Sequence, residues 1–108
     1  MFLLEAMNGP LDGKRWPFEK SIEIGREVGP SGAALPIDNT VSRRHARIEI
    51  RDEGLTIADL DSSNGTILRG QPVSGTANLE PGEPFIVGRT VLQVLLKRDV
   101  TADSGALP

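Results

Sequence analysis

Cysteine and tyrosine are absent from this 108-residue chain, which has a single Trp and three Phe. Without cysteine there is no disulfide framework, and nothing requires an oxidising compartment. With so few aromatic residues, aliphatic side chains must fill the core. Long apolar runs are also missing. The longest, such as Phe2 to Leu4, falls far short of the ~20 residues that span a bilayer. The start of the chain shows neither a basic n-region nor a long hydrophobic h-region, so a cytoplasmic location is expected. An excess of basic residues is lacking too. Lys and Arg total 12 against 15 Asp and Glu, a net charge of −3. This speaks against a general binder of nucleic acid or of anionic membranes, whose surface would be basic.

Positive charge is present, but it is local. Arg43, Arg44, Arg47 and Arg51 lie close together in sequence, and Arg26 can join them in space. A basic spot on an acidic body suits a small anionic ligand better than a polyanion. The length fits one domain with one modest core.

Short alternating stretches separated by Gly, Pro and Asn dominate the rest. Strands are expected at 2–7, 14–18, 21–24, 46–51, 55–60, 67–68, 71–73, 85–87 and 91–96, with Leu35 and Ile37 as a further short strand inside a long loop. Residues 46–51 show the pattern most clearly. Ile48 and Ile50 fall on one face, and Arg47, Glu49 and Arg51 on the other. No segment keeps a helical period over three turns. The fold class is therefore all-β, a sandwich or a barrel. Residues 1–98 form the expected domain, and residues 99–108, without apolar periodicity, form a tail or linker.

Three polar segments punctuate these strands. Gly25-Arg26 ends one of them; on its own this is a turn glycine and a solvated arginine, but Arg26 carries a planar fork of donors suited to phosphate oxygens. Ser42-Arg43-Arg44-His45 precedes another. Ser42 and Arg43 can reach an anion, Arg44 points to solvent, and His45 reads as a structural residue. A Ser/His nucleophile and base pair is set aside, because no orienting third group is near and the spacing alternates faces. Ser62-Ser63-Asn64-Gly65-Thr66 contains Asn-Gly, the strongest short hairpin signal. Beyond a plain hairpin, the same turn can project Ser63 and the Asn64 amide outward. Asp38, Asp59 and Asp61 match no calcium loop and read as turn formers, so no metal is expected. No Gly-rich phosphate loop opens a helix, and no cofactor is expected.

Gly25-Arg26, Val41-Ser42-Arg43-Arg44-His45-Ala46 and Asp59-Leu60-Asp61-Ser62-Ser63-Asn64-Gly65-Thr66, in that order, resemble the forkhead-associated (FHA) domain family over roughly Leu3 to Lys97. The resemblance implies an eleven-stranded, mostly antiparallel two-sheet β-sandwich whose loops at one end bind phosphothreonine peptides in preference to phosphoserine. It implies Arg26, Ser42, Arg43 and Ser63 as phosphate ligands and Asn64 as the contact to the peptide main chain. His45 is implied as a brace between loops, and Gly25 and Gly65 as turn glycines. Arg69-Gly70 departs from the Asn-Gly that many members carry at the next turn. The expected partner is a phosphothreonine-containing protein, a substrate of a Ser/Thr kinase, and the expected role is that of a non-catalytic signalling adaptor. A different class, a phospho-independent scaffold or oligomerisation module, can use the same sandwich.

Overall fold

In the strand Ala46–Arg51, Ala46 and Ile48 are fully buried while Arg47 and Glu49 remain partly exposed, so the predicted alternation holds. The same rule of two builds the rest of the computed structural model, which describes residues 1–52 and 54–96. The expected tail at 99–108 lies outside the described residues.

Eleven strands are present among the described residues. They are β1 (Phe2–Ala6), β2 (Arg15–Phe18), β3 (Ser21–Gly25), β4 (Ala33–Ala34), β5 (Ala46–Arg51), β6 (Gly54–Asp59), β7 (Thr66–Leu68), β8 (Gln71–Pro72), β9 (Thr76–Leu79), β10 (Phe85–Val87) and β11 (Thr90–Leu96). They form two sheets. One runs β2-β1-β11-β10-β7-β8 and the other β4-β3-β5-β6-β9. β3 and β4 pair in parallel, and the other pairs are antiparallel. The fold is thus the expected two-sheet sandwich.

Between the sheets lie Leu4, Ile24, Leu35, Val41, Ile48, Ile57, Leu79, Phe85, Val87, Leu92 and Val94, each at most 1% exposed. Phe85 is the one aromatic ring among them, as a chain poor in aromatics requires. Each such side chain contributes on the order of 1.5–3 kcal/mol on burial. Phe18 is also buried, at 6% exposed, while Phe2 and Trp16 are partly buried against the core: Phe2 stacks on Phe18 with centroids 5.9 Å apart, and Lys14 lies over Trp16 at 5.6 Å.

Three expectations change. Thr76–Leu79 forms β9, where no strand was expected, because its inward residues are only Ala77 and Leu79. The short strand in the long loop is Ala33–Ala34, and Leu35 follows it with its N–H bonded to the Gly25 carbonyl at 2.9 Å. Ile37 is 64% exposed and belongs to no strand. Asn64-Gly65 does not close a hairpin. β6 and β7 lie in different sheets, so this loop crosses from one layer to the other. Gly65 has positive φ (81°), but Asn64 does not, as a primed hairpin turn of that pair would need. The two-residue hairpin with both central residues left-handed is Arg69-Gly70, at φ 53° and 76°.

Candidate functional site

The candidate residues come from three loops: the one leaving β3, the one entering β5, and the one joining β6 to β7. What brings the first two together is backbone pairing that continues past β3. Arg26 N–H donates to the Ser42 carbonyl at 2.9 Å, and Glu27 N–H to the Arg43 carbonyl at 3.1 Å. Gly25 makes this approach possible. A Cβ at Gly25 would lie 2.1 Å from the Arg43 carbonyl oxygen. Gly25 has no positive φ and sits buried in β3. Its role is close approach, not the turn that the resemblance implied; Gly65 is the turn glycine of the pair.

His45 ties the second loop to the third. It is fully buried. Ser42 N–H donates to its Nδ1 at 3.0 Å, and its Nε2 lies 2.8 Å from the Gly65 carbonyl oxygen. A backbone N–H can only donate and a carbonyl can only accept. The ring is therefore held with Nδ1 bare and the proton on Nε2. Neither nitrogen faces the Ser42 hydroxyl, so the ring is committed to two backbone groups and does not form a nucleophile and base pair with it. The ring thus links the loop that enters β5 to the loop that joins β6 and β7.

The rim is completed by side chains. Ser63 N–H donates to Ser42 Oγ at 2.9 Å, which fixes the two serines side by side and leaves the Ser42 hydroxyl proton to be donated elsewhere. Ser63 is exposed, and its own hydroxyl makes no hydrogen bond among the described residues. Arg26 is held by Nε donating to the Val41 carbonyl at 3.0 Å. Arg43 is exposed, its side chain at 77%. Asn64 is only partly available: Nδ2 donates to the Thr40 carbonyl at 2.8 Å, so one amide hydrogen tethers the loops while Oδ1 remains. All five candidates, Arg26, Ser42, Arg43, Ser63 and Asn64, thus lie on adjoining loops.

The expected basic spot is divided. Arg44 forms a two-pronged pair with Glu23 at 2.9 and 2.8 Å, and Arg47 reaches the same carboxylate at 3.4 Å. Arg51 pairs with Glu49 at 3.2 Å. Arg44 is therefore ion-paired as well as solvated. Arg26 and Arg43 instead share Glu27, whose Oε2 lies 3.5 Å from Arg26 Nη1 and 3.6 Å from Arg43 Nε.

Two aspartates hold the loops in shape. Asp38 accepts from Thr40 N–H at 3.0 Å and from the Thr40 hydroxyl on one oxygen, and from Arg89 N–H at 2.8 Å and the Thr90 hydroxyl at 2.9 Å on the other. Burial opposes its ionisation, but these donors outweigh it and hold the carboxyl below its ordinary range. Asp59 accepts the Ser62 hydroxyl at 2.5 Å, Ser62 N–H at 3.0 Å and the Thr66 hydroxyl at 2.7 Å. Burial again opposes ionisation, and the same bonds carry the carboxyl below its ordinary range. Ser62 Oγ in turn accepts Gly65 N–H at 2.8 Å. The Asp-x-Thr spacing at 38–40 is the signal that marks Asp38 as a loop former. Among the described residues no group of three or more His, Cys, Asp or Glu side chains is placed to hold a metal ion. No helix among them is long and apolar enough to cross a membrane.

The family model described as FHA domain matches residues 22–88. The glycogen accumulation regulator GarA of Mycobacterium tuberculosis is 31% identical over 105 residues, which is 96% of this chain and 63% of that protein. The chain therefore spans less than two thirds of that relative's length. The crystal structure of the FHA domain of CT664 from Chlamydia trachomatis aligns with a TM-score of 0.76 at 26% identity, covering 88% of this chain and 96% of that one. An FHA domain from a structural and functional study of phosphothreonine-dependent FHA interactions aligns with a TM-score of 0.71 at 31% identity, covering 88% and 95%. With its sandwich, its His45-braced loops and a family match over most of its described length, this chain belongs to the FHA domain family.

Proposed function

We propose that this chain is a phosphothreonine-dependent peptide-binding module, a non-catalytic signalling adaptor of the cytoplasm. Its partner is a protein phosphorylated on threonine by a Ser/Thr kinase. In this reading Arg26, Ser42, Arg43 and Ser63 hold the phosphate, and Asn64 bonds the peptide main chain. The observation that carries it is the fixed adjacency of Ser42 and Ser63 on loops that adjoin Arg26, with, among the described residues, the Ser63 hydroxyl unbonded and the Arg26 outer nitrogens engaged by nothing but the exposed carboxylate of Glu27. The phosphothreonine-dependent interactions of a related FHA domain support it.

The physical chemistry is sufficient. A phosphate carries about −1.5 to −2 charges at neutral pH. Charge-assisted hydrogen bonds contribute roughly 1.5–3 kcal/mol each. An extended peptide buries little area, so dissociation constants on the order of micromolar are expected. Calorimetry with matched phosphorylated and unphosphorylated peptides drawn from a library screen tests the reading. Binding should require the phosphate, and Arg26→Ala should weaken it by roughly ten- to a hundredfold. Equal binding of both peptide forms would favour a phospho-independent scaffold.

A further inference from the structure

Glu27 holds a position that the adaptor reading leaves without a role. Its backbone N–H bonds the Arg43 carbonyl, which seats it between the two loops that supply Arg26 and Arg43. One oxygen of its side chain, Oε2, then sits within ion-pair distance of both guanidinium groups, at 3.5 and 3.6 Å. No other carboxylate among the described residues is within that distance of either arginine. Glu23 and Glu49 are taken up by Arg44, Arg47 and Arg51. A single oxygen shared between two guanidinium groups from separate loops is the position a phosphate oxygen would take there. The carboxylate is also exposed, its side chain at 56%, so nothing in the packing prevents it from swinging away.

Resting on the adaptor reading, we propose that Glu27 is an internal competitor for the phosphate. In the free protein it bridges Arg26 and Arg43 and keeps the two loops registered with their charge partly neutralised. When a phosphothreonine arrives, its greater charge displaces the carboxylate, and Glu27 rotates into solvent. The cost of that displacement, and the residual repulsion between Glu27 and the phosphate, lowers affinity. Glu27 thereby sets a threshold that a doubly charged phosphate passes and that weaker anions do not. It is a specificity-determining residue that no ligand contact would reveal.

The test compares wild type, Glu27→Gln and Arg26→Ala, each titrated with fluorescein-labelled pools of degenerate phosphothreonine peptides and of the matched unphosphorylated peptides, and read by anisotropy at about 50 mM and 500 mM salt. Glu27→Gln removes the charge and preserves the shape. It should tighten binding by about two- to tenfold at low salt, and the gain should shrink at high salt as screening grows. Unchanged or weaker binding by Glu27→Gln, or a gain insensitive to salt, overturns the proposal. If wild type prefers phosphorylated peptides and Arg26→Ala loses them while Glu27→Gln gains nothing, only the Glu27 inference falls. If wild type shows no preference for the phosphorylated pool, both readings fall.

Discussion

Ser42 N–H donates to Nδ1 of His45 at 3.0 Å, and through the other side of the same ring that serine's loop is linked to Gly65. One buried imidazole thus ties together two rim loops just beyond the end of the β5–β6 ladder. Both its nitrogens bond backbone, and the side chains of Ser42 and Asn64 add further ties between the same two loops.

Replacing His45 with Ala should therefore damage fold and site together. It leaves an N–H and a carbonyl unpaired and opens a cavity, at a cost of about 2–4 kcal/mol. The midpoint of thermal unfolding should fall by at least about 10 °C. Circular dichroism melts check this, and phosphopeptide titration below the melt should show binding lost as well.

Ser42 and Ser63 should separate stability from binding. The Ser63 hydroxyl makes no internal bond among the described residues, so Ser63→Ala should change stability by less than ~0.5 kcal/mol. Ser42 Oγ accepts Ser63 N–H, so Ser42→Ala should cost about 1 kcal/mol in addition to weakening binding. Denaturant melts and calorimetry on the two variants measure the contrast.

Gly25→Ala should be worse than Gly65→Ala. At Gly25 the added methyl meets main-chain atoms of Arg43 at 2.1 and 2.8 Å, and overpacking of this kind costs about 1–3 kcal/mol or more. At Gly65 the nearest atom is 4.0 Å away and the cost is the left-handed backbone alone, about 1 kcal/mol. Urea unfolding midpoints rank the two.

Acid should loosen the loop that joins β6 to β7. The Asp59 carboxyl is held below its ordinary value near 3.8, so the folded state binds a proton there less readily than the unfolded chain. The stability it contributes is present above that value and is lost as pH falls through the lower, folded value. Melting temperature should decline below about pH 4, and less steeply in Asp59→Asn, whose amide cannot titrate. A melting series between pH 2 and 6 decides it.

Much of the strand pattern was legible from local sequence. Where inward residues were large and branched, as in Ala46–Arg51, period two announced the strand. It failed at Thr76–Leu79, where one inward position is Ala77 and the burial signal is weak. Turn chemistry did not decide the geometry at Asn64-Gly65. Asn-Gly favours a hairpin locally, yet the chain there must cross between sheets, and the crossing outweighed the local preference. The candidate site was drawn from a pattern of motifs and not from any single residue. The Glu27–Arg43 pair and the Asp38 bonds to Arg89 and Thr90 were not legible, because those partners lie on other loops.

The place of most strands, the lack of any long helical period and the chemical types available at the rim follow from the sequence itself, since alternation and turn residues act over a few neighbours. Which arginines meet the rim and which are spent on Glu23 and Glu49, why Gly25 admits no side chain, and how His45 joins two loops depend on contacts between segments distant along the chain. Only the folded chain brings those groups within a few ångströms of one another. At that range Coulomb attraction, steric exclusion and hydrogen-bond geometry select among pairings that sequence order leaves equivalent.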